Sequence, residues 1–267
     1  MSGDMSSRTT AGVSRPYGPG SVPVLMYHSI GGADRLAVRP EVFAEQMAYL
    51  SDNGFTPLPF GDRERPAERP VVITFDDGYA DFHEHALPVL ERYGFAATVF
   101  VTTGWVADAG RYAAGRPLGR MLTWRQAEEV AATGVEIGAH GHSHAQLDQL
   151  RDMDLRVELY RSRELLQDRL GRPVQTMAYP YGYSSARVRR EARARGYTAA
   201  CAVANAVLTA RADPLAVPRL TVRAGTSSDG FAAAIEGRGF RTDHVLTKGY
   251  AVVRRSRYAA RRLRGVA

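Results

Sequence analysis

Residues 71–78 of this chain read Val-Val-Ile-Thr-Phe-Asp-Asp-Gly. The first five side chains are β-branched or aromatic and predict a central strand, because such side chains pack well on a buried, pleated surface. The adjacent carboxylates of Asp76 and Asp77 follow this strand directly. Burial of such groups is costly unless they are paired or bind a cation. The alternative is an ordinary turn, since Asp-Gly is a common hairpin signal.

Apolar strands and helices alternate on both sides of this stretch. We predict seven strands, at residues 22–27, 71–75, 96–101, 135–137, 176–179, 198–203 and 217–222. We predict helices between them, at residues 40–53, 79–93, 124–132, 152–170 and 185–195. Such alternation is typical of an α/β protein with a parallel sheet, open or closed. Because a closed parallel barrel carries its chemistry at the carboxyl ends of its strands, polar residues at those ends are the functional candidates.

The composition indicates one soluble domain. Hydrophobic residues make up 45% of the chain and charged residues 24%, which are ordinary values for a globular protein. We assign the domain to residues 22–243, after a disordered leader at residues 1–21 and before a basic tail at residues 244–267. The single cysteine, Cys201, lies in an apolar run, so we predict a buried, inert thiol rather than a nucleophile.

The net charge of +7 belongs to the tail, because seven of the 35 basic residues and none of the 28 acidic ones follow Asp243. Contact with an anionic membrane surface or a lipid-linked glycan is one interpretation of the tail, and a solvated terminal helix is another. Nucleic-acid binding is the least favoured, since no nucleic-acid motif accompanies the charge. Neither a signal peptide nor a membrane helix is visible. We therefore expect a cytoplasmic protein or one peripheral to the inner membrane face, with a non-standard export route left open.

A second polar motif follows the strand predicted at residues 135–137. Residues 138–144 read Gly-Ala-His-Gly-His-Ser-His. Neutral imidazole is a common zinc ligand. His140 and His144 are four residues apart, and one turn of helix would place both on the same side with His142 facing away. A solvated histidine-rich loop is the alternative.

Two histidines and one carboxylate make a typical catalytic zinc set that leaves a coordination position open for water or substrate. A structural zinc usually takes four protein ligands including several cysteines, whereas this chain has only Cys201. A catalytic zinc lowers the pKa of water and polarises a carbonyl. The two motifs together therefore indicate one metal-binding aspartate and a second aspartate that takes a proton from water.

A third motif, at residues 178–182, reads Ala-Tyr-Pro-Tyr-Gly after the strand that begins at Thr176. A turn of this kind at a strand end can direct a backbone N–H towards a developing oxyanion. An ordinary aromatic turn is the alternative.

The three motifs together resemble those of the polysaccharide deacetylase family, also called the NodB-homology domain or carbohydrate esterase family 4. The resemblance extends between the motifs and covers about residues 22–222. It implies an α/β fold, a single distorted (β/α) barrel of about seven parallel strands. It also implies a metal-dependent hydrolase that removes acetyl groups from N-acetylglucosamine in a polymer or glycan. In such a hydrolase the metal site holds Zn²⁺, or sometimes Co²⁺ or another divalent ion.

Carried over to this sequence, the resemblance implies a role for each motif residue. Asp76 is the general base, and the metal ligands are Asp77, His140 and His144. The backbone N–H of Tyr181 is the oxyanion donor.

The chain departs from the family pattern in two places. Many members have an arginine in the third motif where this chain has Ala178, and we hypothesise that Arg219 replaces it by pairing with Asp76. A surface salt bridge is the alternative for Arg219. The family's carboxyl-terminal histidine, the general acid, is also missing, since His244 has the wrong neighbours; we predict that His28, after the first strand, supplies this acid.

Three rival functions stay open on the sequence alone. A related amidase acting on a small molecule or an O-acetyl esterase would use the same activation of water. A carbohydrate-binding protein without activity is the third, and Ala178 motivates it, although both aspartates and both ligand histidines are retained.

Overall fold

The structure, a computed structural model, describes residues 21–32, 36–203, 208–209 and 212–237. The basic tail, and the predicted leader apart from its last residue, lie outside the described residues. The strands are β1 (Val24–Tyr27), β2 (Thr56–Leu58), β3 (Pro70–Phe75), β4 (Thr98–Val101), β5 (Glu136–Ala139), β6 (Thr176–Ala178), β7 (Ala199–Cys201) and β8 (Leu220–Thr221). The α-helices are α1 (Pro40–Asp52), α2 (Leu87–Tyr93), α3 (Trp124–Ala132), α4 (Asp152–Leu170), α5 (Ala186–Ala194) and α6 (Ser228–Ile235).

The strands form one parallel sheet with the order β7-β6-β5-β4-β3-β1-β8. The short strand β2 and strand β4 pair with the same edge of β3. β2 pairs with the first half of β3, and β4 pairs with its second half. A parallel bridge between Cys201 and Val217 connects β7 to the segment just before β8. The two ends of the sheet therefore approach each other, and the predicted distorted (β/α) barrel is confirmed.

Side chains alternate between the interior of the barrel and the layer of helices outside it. In β3, Val71, Ile73 and Phe75 belong to the large apolar core between sheet and helices, whereas Val72 belongs to a second apolar cluster with residues of β1, β4, β6 and β7. Thr74 is also fully buried. Since side chains on one face recur every second residue, Asp76 continues the row of Val72 and Thr74 into the barrel.

Helices α3 and α4 begin and end where the sequence predicts. Thr123 caps α3 in a capping box with Gln126, which satisfies backbone N–H groups that the helix itself leaves free. Gly171 ends α4 in the left-handed conformation that glycine adopts without strain. None of the described helices has both the length and the apolar character that crossing a bilayer requires.

Three features differ from the prediction. β2 was not expected, and its three residues include Pro57, which is disfavoured inside sheets and tolerated at an edge. Helix α6 was also not predicted. The helix expected from residue 79 begins instead with a π-helical turn at Phe82–Ala86, which continues into α2.

Candidate active site

The two aspartates after β3 point to different partners. The backbone N–H of Asp76 still pairs with the carbonyl of Tyr27 in β1, at 3.0 Å, so Asp76 stays in the sheet register. Asp77 leaves that register with a φ of +76°, followed by Gly78 at +87°. This change of backbone conformation sends the two buried carboxylates in different directions, as the alternation of side chains predicts.

The carboxylate of Asp77 meets the two histidines of the second motif. Asp77 Oδ1 lies 3.3 Å from His140 Nε2 and 3.2 Å from His144 Nε2, and one ligand atom from each residue lies within 4.8 Å of the other two. Asp77 Oδ1 is buried, yet it has no hydrogen-bond partner of suitable geometry among the described residues. A buried carboxylate oxygen and two imidazole nitrogens facing one point fit a divalent cation with a free coordination position.

Charge also fits a cation at this point. Burial raises the pKa of Asp77, but the neighbouring imidazoles of His140 and His144 outweigh burial and hold that pKa well below its usual range. Asp77 is therefore a carboxylate, the form in which an aspartate binds metal.

The segment that carries the histidines is a loop, not the helical turn predicted from their spacing. Gly141 and His144 have positive φ values of +73° and +60°, and these bend the chain so that both ligand rings face Asp77. His142 does not belong to the group of ligand atoms around Asp77, and its Nδ1 lies 2.9 Å from Thr103 Oγ1 instead. Spacing alone could not distinguish a loop from a helix here.

Each ligand ring has neighbours that fix its orientation. His140 Nδ1 lies 2.9 Å from the backbone carbonyl of Ala178, which directs Nε2 towards Asp77. The ring of His144 lies between the rings of Trp105 and Tyr181, with centroid distances of 4.5 and 4.6 Å. The ligand geometry is therefore set by groups from β6 and from the loops after β4 and β6.

Arg219 forms the pair with Asp76 that the sequence predicts. Its Nη1 and Nη2 donate to Asp76 Oδ1 and Oδ2 at 2.6 and 2.7 Å, and both residues are buried. Nη1 also lies 3.2 Å from Thr74 Oγ1. The surface salt bridge considered as the alternative is thereby excluded, since the Arg219 side chain is 0% exposed.

This pair keeps Asp76 ionised. Burial alone would raise the pKa of Asp76, but the Arg219 guanidinium and the nearby His140 outweigh burial and hold that pKa below its usual value. Asp76 Oδ2 lies 4.0 Å from His140 Nε2, so the ionised carboxylate stands beside the candidate metal position without belonging to its ligand set.

His28 lies next to Asp76 in the sheet, because Tyr27 of β1 pairs with Phe75 of β3. Its Nδ1 is buried and has no hydrogen-bond partner among the described residues. Burial lowers the pKa of His28, and the charges of Asp76 and Asp77 act in the opposite direction. An imidazole with a free ring nitrogen thus stands at the same end of the barrel as the two aspartates.

Comparison with known proteins places this site in a family. The sequence profile of the family described as polysaccharide deacetylase matches residues 63–200. YxkH of Bacillus subtilis (strain 168), whose name assigns it to the polysaccharide deacetylases, is 31% identical over 227 residues, which cover 82% of this chain and 77% of YxkH. This chain belongs to the polysaccharide deacetylase family.

Two further relatives bear on this deacetylase. The poly-beta-1,6-N-acetyl-D-glucosamine N-deacetylase of Escherichia coli (strain K12) is 32% identical over 119 residues, or 39% of this chain and 18% of that protein. The deacetylase PplD of Streptococcus pyogenes, solved in complex with acetate, superposes with a TM-score of 0.72 at 24% identity, over 82% of this chain and 99% of PplD. The likeness to PplD supports the fold.

The third motif of this polysaccharide deacetylase borders the candidate metal position. Ala178 is fully buried, and its backbone carbonyl is the hydrogen-bond partner of His140 Nδ1. Tyr181 is 51% exposed, has a φ of +60° and places its ring against His144. The third-motif arginine expected at the position of Ala178 is thus absent. The guanidinium of Arg219, from the segment before β8, binds the carboxylate of Asp76 instead.

Two residues at the site of this deacetylase were missed by sequence reasoning. Trp105 follows the carboxyl end of β4, so the rule that chemistry lies at strand ends could have found it. Glu158 lies in the middle of α4 and reaches the histidine loop only through tertiary packing. No local sequence signal distinguishes it from the other acidic residues of that helix.

Proposed function

We propose that this chain removes the N-acetyl group from N-acetylglucosamine units of a glycan by metal-dependent hydrolysis. One observation carries this proposal: the ligand atoms of Asp77, His140 and His144 face one point, and the ionised Asp76 stands beside it, fixed by Arg219. That arrangement supplies a cation position and a separate base within one buried cluster.

The substrate class is inferred from the relatives. The Escherichia coli relative is named for the deacetylation of poly-beta-1,6-N-acetyl-D-glucosamine, and the family profile is described as polysaccharide deacetylase. Membership of that family supports hydrolysis of an acetamide on a sugar over an unrelated amidase reaction. The particular glycan and its length are left to the assay below.

We assign the cation to zinc, with cobalt as the other candidate. Two imidazoles and one carboxylate are a common ligand set for catalytic zinc. When bound, such a cation lowers the pKa of water and polarises the substrate carbonyl. Asp77 and His140 are held from β3 and β5, and His144 from the loop after β5, so the site combines two rigid strand ends with one loop.

In this proposal Asp76 is the general base. It lies in the sheet register, both its oxygens accept from Arg219, and its lowered pKa keeps it ready to accept a proton at neutral pH. Arg219 has two functions here: it orients the carboxylate, and its charge opposes the increase in pKa that burial would cause.

Two more groups complete the proposed mechanism. The backbone N–H of Tyr181 donates to the oxygen that becomes negative when water attacks the acetyl carbon. His28 transfers a proton to the nitrogen that leaves, which produces the free amine of the sugar and acetate. Because burial lowers the pKa of His28, its protonated form gives up the proton readily, although a smaller fraction of His28 is protonated at neutral pH.

Acetate release tests the proposed function against its enzymatic rivals. The substrates are chitin oligomers, peptidoglycan fragments, lipid-linked N-acetylglucosamine, O-acetylated sugars and simple amides, each with and without a chelator. We expect release from at least one N-acetylglucosamine glycan, its loss with the chelator, and its loss in Asp76→Asn. Release from only the O-acetyl or simple amide substrates would replace the proposal by one of the rivals.

The inactive carbohydrate-binding alternative rests on Ala178. Although the third motif has Ala178, a guanidinium still binds Asp76, because Arg219 reaches this carboxylate from the segment before β8. The departure in the third motif therefore gives no reason to expect an inactive site. A protein that binds the oligomers but releases no acetate with any divalent metal would restore this alternative.

For the basic tail we propose contact with an anionic membrane surface. The support is its charge pattern, since Lys248 and six arginines up to Arg264 are interleaved with apolar residues and no acidic residue follows Asp243. Deletion of residues 248–267 is expected to abolish sedimentation with phosphatidylserine vesicles and to leave sedimentation with neutral vesicles unchanged. If the full chain and the truncated protein sediment equally with phosphatidylserine vesicles, the tail is a solvated segment that does not bind membranes.

A further inference from the structure

His144 occupies an unusual backbone position for a candidate metal ligand. Its φ of +60° lies in the left-handed region, which non-glycine residues adopt only when surrounding contacts hold them there. The His140 ring is oriented by the carbonyl of Ala178, whereas the contacts of the His144 ring are with the rings of Trp105 and Tyr181 and with Asp77 Oδ1. The orientation of His144 therefore depends on ring packing, on Asp77 and on the loop that carries it.

One carboxylate holds that loop. Glu158 Oε2 accepts from the backbone N–H groups of His142 and Ser143 at 2.8 and 2.9 Å, and Oε1 accepts from Ser143 Oγ at 2.6 Å. Glu158 lies on α4 and is only 9% exposed. Three donors from two successive residues meet one carboxylate, directly before the strained residue.

The backbone after β4 also holds the loop. The N–H of Gly104 donates to the carbonyl of His142 at 2.7 Å, and the N–H of Thr103 donates to the carbonyl of Gly141 at 3.3 Å. The loop is thus fixed between the end of β4 and the side chain of Glu158. Of these two supports, only Glu158 can be removed by a side-chain substitution without changing the sheet.

We propose that Glu158 is a positioning residue that holds the loop so that His144 is placed for metal binding. Glu158 does not contact the candidate metal position; it acts through the two backbone amides that precede His144. The inference rests on the proposed metal site, and it extends that site from three ligands to the helix behind them. Partners of this kind commonly change metal affinity about 10–100-fold when they are replaced.

Glu158→Gln tests the proposal, because the amide keeps the size of the side chain but removes the negative charge that strengthens all three hydrogen bonds to the loop. The affinity of the full chain for Zn²⁺ alone is measured by competition with a chelating dye. We expect the dissociation constant to rise about 10–100-fold. We also expect faster hydrogen exchange of the His142 and Ser143 amides in the zinc-free protein.

Two variants separate positioning from folding. Glu164→Gln is the matched control on the same helix, where Glu164 meets Arg163 and Gln167 and not the histidine loop; its affinity for Zn²⁺ is expected to equal that of the wild type. Ser143→Ala removes one of the three hydrogen bonds, so a smaller loss of affinity is expected. It also provides the measurement if Glu158→Gln does not fold.

The result that overturns the inference is a Glu158→Gln or Ser143→Ala protein that melts at a lower temperature without zinc but binds Zn²⁺ as tightly as the wild type. That outcome would make Glu158 a purely structural tether of α4. A wild-type chain that binds no divalent cation would instead overturn the proposed function. The two failures are therefore distinguishable in one set of titrations.

Discussion

Asp77, His144 and Tyr181 are the non-glycine residues with positive φ in the part of the chain that the structure describes. Such conformations store strain and persist only where the surroundings over-determine them. All three residues border one point at the carboxyl end of the barrel, where two of them are candidate ligands. The strain is thus concentrated where the proposed chemistry requires side chains to leave regular strand and helix directions.

Replacement of Arg219 is expected to change the pH dependence of the reaction. Asp76 must be ionised to accept a proton, and Arg219 opposes the rise in its pKa that burial causes. In Arg219→Ala the pKa of Asp76 rises, so kcat/KM falls and its acidic limb moves to higher pH. The pH–rate profile measures both effects.

A control for Arg219 is needed because breaking a buried ion pair costs about 3–5 kcal/mol of stability. Arg219→Lys keeps a charge but lacks the planar pair of donors that holds both carboxylate oxygens of Asp76, and it should lie between the wild type and the alanine variant in both readouts. Unchanged turnover of a folded Arg219→Ala protein would show that Asp76 needs no partner.

Replacement of His28 is expected to affect the leaving group and not the metal. A His28→Ala protein should keep its zinc and lose about 10²–10⁴-fold in kcat on an acetamide, the usual contribution of an acid–base residue. On an aryl acetate the loss should be small, because that leaving group departs without a proton. Metal analysis of the variant and its kcat values on the acetamide and on the aryl acetate test this prediction.

The matched control for His28 is His83→Ala, since His83 is partly exposed and pairs with Glu129 outside the site. It should retain the wild-type rate on both substrates. If His28→Ala holds zinc and hydrolyses the acetamide at the full rate, the acid must be another group.

Much of the candidate site could be predicted from residue types and strand ends. Asp76, Asp77 and the histidines follow apolar strands, and parallel strands place their carboxyl ends together. The shape of the histidine loop could not be predicted, because a positive φ at His144 depends on Glu158 and on the backbone after β4. Those contacts come from segments that are separated from the loop in the sequence.

At the scale of secondary structure, the periodicity and the caps of the sequence predicted the long elements well. α3 and α4 have the predicted bounds, since Thr123 and Gly171 mark one end of each. The strands differ from prediction by one to three residues at their ends, where apolar residues continue into buried loops. β2 has three residues and α6 has eight. Both carry weak sequence patterns, so their packing against β3 and α1 decides their formation.

Strand β5 should tolerate no larger side chain at Gly138. A Cβ there would lie 2.6 Å from the ring of Phe100 and 2.8 Å from Thr176 Oγ1. Gly138→Ala is expected to lower the free energy of unfolding by about 1–3 kcal/mol, as overpacking does, and to weaken metal binding because His140 follows β5. Denaturant unfolding and the zinc titration measure the two effects.

Gly225→Ala is the matched control for β5. A Cβ at Gly225 would meet nothing within 4 Å, and the residue is exposed. The change should stay within about 0.5 kcal/mol, as for other surface substitutions. Equal stability of the Gly138→Ala and Gly225→Ala proteins would mean that β4, β5 and β6 can separate without cost.

At the scale of the whole molecule, the candidate metal site joins β3 to the segment after β5, so metal binding should stabilise the fold. A ligand that binds only the folded state at 100 times its Kd adds about 2.7 kcal/mol to the free energy of unfolding, which is roughly 5–10 °C in Tm for a domain of this size. Thermal melts with zinc and with chelator measure the difference. Asp77→Ala should abolish it, and an equal zinc effect in that variant would place the ion elsewhere.

The rate of acetate release per bound metal ion tests most directly whether this site at the end of the barrel performs the proposed chemistry. Metal-free protein is titrated with Zn²⁺ while acetate release from an N-acetylglucosamine oligomer is recorded. We predict no activity at zero metal, a linear rise that ends at one ion per chain, and no activity at any zinc concentration in Asp77→Ala. Full activity in protein that contains no divalent metal, or equal activity in Asp77→Ala, would contradict this prediction.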